Sequence, residues 1–303
     1  MLNSWGSLRA CPYALYLGRL APNSQRSIAS QLNSIADMMG WTDEERTDKY
    51  HQIDFQQATY IKTKLITQGW SARSINRAMI AIRSIVKIAV LSGIVPEMQS
   101  IQLRAISKVN HGKHNGKPLS TEQVNKLLIK LQRDTSILGI RNYALISTLL
   151  GTGLRRSELV ALLVEDFIEG TALIVRKGKG NKSRTVHLPA WTQLALNQWL
   201  ALRGDSNGHL FVRVAKGGNI KPNTALSSCS IYSLTKKSLA SIGVEGVSPH
   251  DLRRTFITRL LEQNVDINTV RQMAGHEDIS TTIMYDKRNE KVMQEAASLL
   301  SYQ

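Results

Sequence analysis

Between Arg104 and Ser120 the chain reads "RAISKVNHGKHNGKPLS", with two glycines, a proline, several basic residues and neither helical nor strand periodicity. Such a stretch favours an extended linker, and amphipathic patterns lie on both sides of it. One continuous core is therefore excluded. The 303 residues divide into a first domain at 1–107, a basic linker at 108–116 and a second domain at 117–303. Each flank has room for its own core, since domains run about 100–200 residues.

Upstream, helical spacing predicts helices over 22–40, 55–69 and 71–93, and "TDEE" at Thr42 to Glu45 is a capping box that opens another. In the third helix Ile75, Met79, Ile82 and Val86 share one stripe, while Arg73, Arg77, Arg83 and Lys87 cluster roughly opposite. The stripe packs inward. The basic face reads either as a solvated surface or as a phosphate-contacting one. Downstream, "STEQVNKLLIKLQ" opens the second domain with a capping box at Ser120 to Gln123, and "RNYALISTLLGTGL" reads as a core helix ending in glycines. "TALIVRKGKGNKSRTVHLP" reads as strands Ala172 to Arg176 and Arg184 to Leu188 around a Gly- and Lys-rich turn. The expected fold is multidomain and mainly α, with one small antiparallel sheet.

Charge narrows the partner. With 39 Lys and Arg against 23 Asp and Glu, the net charge is +16, a field that attracts a polyanion. The basic residues are spread along the chain instead of forming a polybasic tail, which points to nucleic acid over a membrane surface. Lys108 and Lys113 of the linker and Lys117 at the start of the second domain are expected DNA contacts. No apolar run reaches the roughly 18 residues of a membrane span, so the expected location is cytoplasmic and nucleoid-associated. Cys11 and Cys229 form neither a disulfide framework nor a metal cluster, and no metal or other cofactor is expected.

A tyrosine that attacks a phosphodiester needs help, because a phenol with pKa near 10 costs about 4 kcal/mol to ionise at pH 7. The transition state gathers charge on non-bridging oxygens, which arginine's planar fork matches, and the leaving oxygen needs a proton from a general acid. Four segments supply these residue types. "GTGLRRSELVAL" places Arg155 at a helix start with Glu158 one turn on, which reads equally as a structural ion pair. "RKGKGNKSR" puts Lys177, Lys179 and Lys182 on a hairpin, where a lysine can reach into a DNA minor groove and a plain solvated turn or phosphate contact is the bland reading. "SPHDLRRTF" carries His250 and Arg253 one helical turn apart, and "GHEDISTTIMY" adds His276 and, nine residues later, an exposed-looking Tyr285. Alone, His276 reads as a helix cap and Tyr285 as a core aromatic.

The order of "TGLRRSEL", "GKGNKSR", "PHDLRRTF" and "GHEDISTTIMY" resembles the tyrosine recombinase, or phage integrase, family over about residues 117–290, in the simple two-domain form of Xer-like recombinases and mobile-element integrases. The resemblance implies a helical SAM-like core-binding domain followed by a mixed α/β catalytic domain. It implies that Arg155 and Arg253 hold the scissile phosphate, with Arg254 an adjacent alternative to Arg253. It further implies that Lys179 protonates the leaving 5′ oxygen, with Lys177 and Lys182 as rivals. His250 would accept the nucleophile's proton, His276 would hydrogen-bond the phosphate, Glu158 would orient the site, and Tyr285 would form a 3′-phosphotyrosyl link. The implied partners are duplex DNA core sites, a homotetramer with an exchanged C-terminal helix carrying Val292, Ala296, Leu299 and Leu300, and accessory DNA-bending proteins. The alternatives are a catalytically silent DNA-binding protein and a type IB topoisomerase-like relaxation enzyme.

Overall fold

A computed structural model describes residues 11–110, 116, 118–176, 183–286 and 297–298. The chain forms two compact units, residues 1–114 and 115–303.

The first unit is helical: α1 (Pro12–Gly18), α2 (Pro22–Met38), α3 (Arg46–Gln52), α4 (Phe55–Thr67), α5 (Ala72–Leu91) and α6 (Glu97–Ala105). Prolines at their first positions start α1 and α2, where a missing N–H costs nothing. A capping box between Asp54 and Gln57 starts α4 and the Ser71 hydroxyl starts α5. The Thr42–Glu45 box forms, but the helix it opens begins only at Arg46. The stripe Ile75, Met79, Ile82 and Val86 is buried against Leu32, Ile35, Ile61 and Leu65.

On the opposite face Arg73 and Lys87 are exposed, as is Lys108 beyond α6. Arg77 is also exposed, and its Nε donates to Gln31 Oε1 at 2.9 Å. Arg83 departs from the expected outward row. Its Nε donates to the Leu103 carbonyl at 2.9 Å and its Nη2 to that of Ile106, so it satisfies the orphan carbonyls at the end of α6. Val109, inside the expected linker, is pinned to Asn76 of α5 by hydrogen bonds of 2.9 and 2.8 Å. Lys113 and Lys117 lie outside the described residues.

The second unit is built around α8 (Ile137–Thr152), buried on nearly every face, with α7 (Thr121–Gln132), α10 (Ala190–Arg203) and α12 (Pro249–Glu262) packed on it. After α8 come α9 (Arg156–Ala161), a short 3-10 turn, and the antiparallel sheet of β1 (Phe167–Ile168), β2 (Ala172–Val175) and β3 (Arg184–His187) in that order. The β2–β3 register runs from Ala172 opposite His187 to Val175 opposite Arg184. A second, two-stranded sheet joins β4 (Val212–Val214) to β5 (Ile220–Ala225). The unit continues with α11 (Ser228–Ala240), α13 (Ile267–Ala274) and α14 (Ile279–Ile283). The molecule is thus mainly helical with small antiparallel sheets. Among the described residues no helix is long and apolar enough to cross a membrane. The C-terminal residues Val292, Ala296, Leu299 and Leu300 lie outside the described residues.

Candidate active site

Helix α8 ends at Gly153, whose φ of +63° is a left-handed conformation that glycine adopts without strain. A Cβ there would stand 2.4 Å from the Phe256 ring. The turn that follows delivers Arg155 to the cap position of α9. Its Nη1 donates to Glu158 Oε1 at 2.6 Å and its Nη2 to the carbonyl of Gly275 at 2.7 Å, while its amide donates to Glu158 Oε2 at 2.9 Å. Glu158 is 4% exposed. Burial pushes its carboxyl pKa up, but hydrogen bonds from Arg184 and the Arg155 amide, with the charges of both arginines, outweigh that and hold it below the ordinary value. The structural ion pair read from the sequence is therefore present, and it aims the Arg155 fork.

Helix α12 begins with Pro249 behind a capping box of Ser248 and Asp251. Arg253, 2% exposed, donates from Nη1 to the Gly153 carbonyl at 2.7 Å. Its Nη2 is buried with no hydrogen-bond partner among the described residues. Leaving a buried donor unpaired costs about 1–3 kcal/mol, and this nitrogen can take an acceptor from outside the chain. Burial first, and the neighbouring Arg155 next, lower the Arg253 pKa to about 10, which still leaves it charged at neutral pH. Arg254, one position on, lies against Tyr285 and beside Asp251, with its Nε 3.6 Å from Asp251 Oδ1. Its guanidinium carbon lies 5.1 Å from the centre of the Tyr285 ring.

Gly275 ends α13 with a φ of +67° and sets the direction of His276. The His276 Nδ1 meets Thr282 Oγ1 at 2.9 Å, and its ring stacks on Tyr285 with centroids 6.0 Å apart and planes 17° from parallel. Burial and then the charge of Arg253 pull the His276 pKa down to about 4, so the ring is neutral at pH 7. Tyr285 follows α14 in a turn closed by its amide on the Thr282 carbonyl at 2.9 Å. The exposed tyrosine expected from sequence is in fact 7% exposed, because His276 and Arg254 flank its ring. Its hydroxyl is 3.5 Å from Nε2 of His250, the exposed residue of the otherwise buried first turn of α12.

The structure therefore brings Arg155, Glu158, His250, Arg253, His276 and Tyr285 together. Lys177, Lys179 and Lys182 lie outside the described residues, although the strands they connect form as expected. Sequence reasoning misses Arg184, which grips Glu158 with Nη1 at 3.1 Å and Nη2 at 2.9 Å, and Thr282, which orients His276. Only the alternation of "RTVH" hints at Arg184, and nothing local marks Thr282. Two neighbouring guanidiniums, a neutral imidazole and a phenol facing a second imidazole are an arrangement chemically able to receive a tetrahedral oxyanion beside a hydroxyl.

Residues 117–291 match the model of the phage integrase family. The tyrosine recombinase XerA of Pyrococcus furiosus is 33% identical over 234 residues, spanning 77% of this chain and 76% of its own. The XerH site-specific recombinase, solved bound to a palindromic difH substrate after cleavage, is 25% identical, with a TM-score of 0.65 over 81% of this chain and 72% of that one. The Tn1549 transposon integrase in complex with circular intermediate DNA shares the fold, with a TM-score of 0.71 at 17% identity over 95% of this chain and 97% of that one. By family match, relatedness and fold, this chain belongs to the phage integrase family of tyrosine recombinases.

Proposed function

We propose that the chain is a site-specific DNA recombinase that cuts and rejoins duplex DNA through a covalent tyrosine intermediate. The observation that carries this reading is the Tyr285 hydroxyl facing His250 beside a cluster in which Arg253 keeps a buried N–H unpaired. Tyr285 Oη attacks the scissile phosphorus while its proton passes to His250. Arg155 and Arg253 hold the non-bridging oxygens. With the Thr282 hydroxyl donating to Nδ1, the His276 proton sits on Nε2 and serves as a further phosphate donor. A lysine of the hairpin, Lys179 first among 177, 179 and 182, protonates the departing 5′ oxygen as the bond from phosphorus to that oxygen breaks. The 3′-phosphotyrosyl link keeps the ester energy, so a 5′ hydroxyl from a second duplex reverses the chemistry and exchanges strands through a Holliday junction.

Duplex DNA is the substrate that the family and the net charge both favour. In the reading proposed here four protomers act on two sites, with residues 291–303 docking on a neighbour and DNA-bending proteins assisting. The test is a nicked suicide duplex carrying DNA that flanks the gene, or a site selected from a random library, resolved on denaturing gels. Wild type is expected to give a covalent adduct, and Tyr285→Phe to bind equally well but give none. An adduct that persists in Tyr285→Phe removes Tyr285 from the nucleophile's role. DNA binding without any adduct favours the silent DNA-binding alternative. Relaxation of a supercoiled circle carrying no selected site favours the topoisomerase-like one.

A further inference from the structure

Arg184 stands outside the residues assigned above, yet it makes both of its terminal nitrogen bonds to the carboxylate that aims Arg155. Nη1 lies 3.1 Å from Glu158 Oε1 and Nη2 2.9 Å from Oε2, a fork-on-fork pair that only arginine forms. The pair is sequestered: the Glu158 side chain is 3% exposed and that of Arg184 15%. The guanidinium also lies flat against Gly275, where a Cβ would stand 2.7 Å from its Cζ and Nη1. The residue that accepts Nη2 of Arg155 is thus the one that roofs Arg184. Finally, Arg184 pairs with Val175 at the last register position of β2 and β3, so the two residues bracket the stretch 177–182 that connects the strands.

Charge gives this arrangement its consequence. Glu158 contacts Arg155 at 2.6 Å, and without a second cation that carboxylate would cancel the charge Arg155 offers to phosphate. With Arg184 on the same carboxylate, three arginines face one acid, and the site keeps two positive charges for a transition state that gathers negative charge.

Building on the recombinase reading, we propose that Arg184 is a positioning residue of the cleavage site: it neutralises Glu158 so that Arg155 keeps its charge for the phosphate, and it ties the base of the β2–β3 hairpin to that pair. Arg184 itself touches no reacting atom. Its effect therefore appears in the rate of cleavage and not in DNA affinity.

Single-turnover cleavage of the nicked duplex, together with gel-shift affinity and thermal melting on the same samples, tests this with the full chain. Arg184→Gln is expected to bind DNA within about twofold of wild type and to cleave about 100-fold more slowly, the scale of loss that misplacing a catalytic group causes. Arg184→Lys, which keeps the charge but not the fork, is expected between the two. Adding Glu158→Gln to Arg184→Gln removes the carboxylate left uncompensated and is expected to recover part of the rate. A merely structural Arg184 predicts the reverse, a double variant slower than either single one. Arg184→Gln cleaving as fast as wild type, Arg184→Lys no faster than Arg184→Gln, or a double variant without recovery each overturns the proposal while the recombinase reading stands. Absence of an adduct with wild type on a bound site overturns both.

Discussion

His276 is uncharged at neutral pH because it is buried beside a group of arginines, and this has a consequence for stability. Its folded pKa of about 4 lies below the ordinary 6.5, so on acidification the unfolded chain takes up the proton first. The contribution is fully present above pH 6.5, is lost as pH falls through the window down to about 4, and is absent below it. Urea midpoints measured across that window are expected to fall more steeply for wild type than for His276→Asn. Parallel curves would show that His276 does not feel the arginines as described. The same neutrality suits a phosphate donor: a neutral ring with Nδ1 held by Thr282 presents a fixed Nε2 without adding a charge that its neighbours would repel. Thr282 is fully buried six residues beyond His276, a spacing that carries no recognisable pattern, and it becomes visible as a partner only once α14 folds back.

At the scale of elements, the site depends on how α8 stops. Gly153 combines a left-handed φ with a close approach to Phe256 and a carbonyl that accepts from Arg253, so one residue ends the helix, packs it against α12 and holds a guanidinium. Gly153→Ala meets both the backbone penalty and a contact of 2.4 Å with an aromatic ring wedged into the core. The expected cost is about 1–3 kcal/mol, seen as a melting temperature lower by about 2–4 °C per kcal/mol for a unit of this size, with slower cleavage because Arg253 shifts. A variant that melts and cleaves like wild type would show that the turn relaxes freely. Much at this scale is legible in sequence. Helices α4, α5 and α7 carry apolar stripes behind side-chain caps, α2 a stripe behind a proline and α8 an apolar run behind the Ser136 cap, and β2 and β3 are short apolar or alternating runs around a Gly-rich turn. Helices α1 and α6 are short and lack a clear stripe, and β5, "IKPNTA", is largely exposed and contains Pro222, so neither periodicity nor propensity marks them. Arg184 is hidden for a different reason. Its partner Glu158 is 26 residues away, and only the hairpin register brings the two together.

For the whole molecule, the distribution of charge separates two properties that a recombinase must combine, gripping DNA and assembling on it. Grip comes from cations, and each phosphate neutralised contributes roughly 0.9 to the slope of log affinity against log salt. Residues 291–303, "KVMQEAASLLSYQ", hold one lysine and one glutamate, so removing them leaves the net charge at +16. The truncated chain is therefore expected to bind a single core site with the same affinity and the same salt slope as the full chain. Assembly, in contrast, needs apolar surface, and this segment is rich in it: Val292, Ala296, Leu299 and Leu300 recur at near-helical spacing. If the segment docks on a neighbouring protomer, the truncated chain loses synapsis of two sites, read by gel shift with two labelled duplexes, while single-site binding persists. Synapsis unchanged by the truncation would refute the exchange. A reduced salt slope would instead place the segment on the DNA, where its balanced charge gives it no electrostatic reason to be.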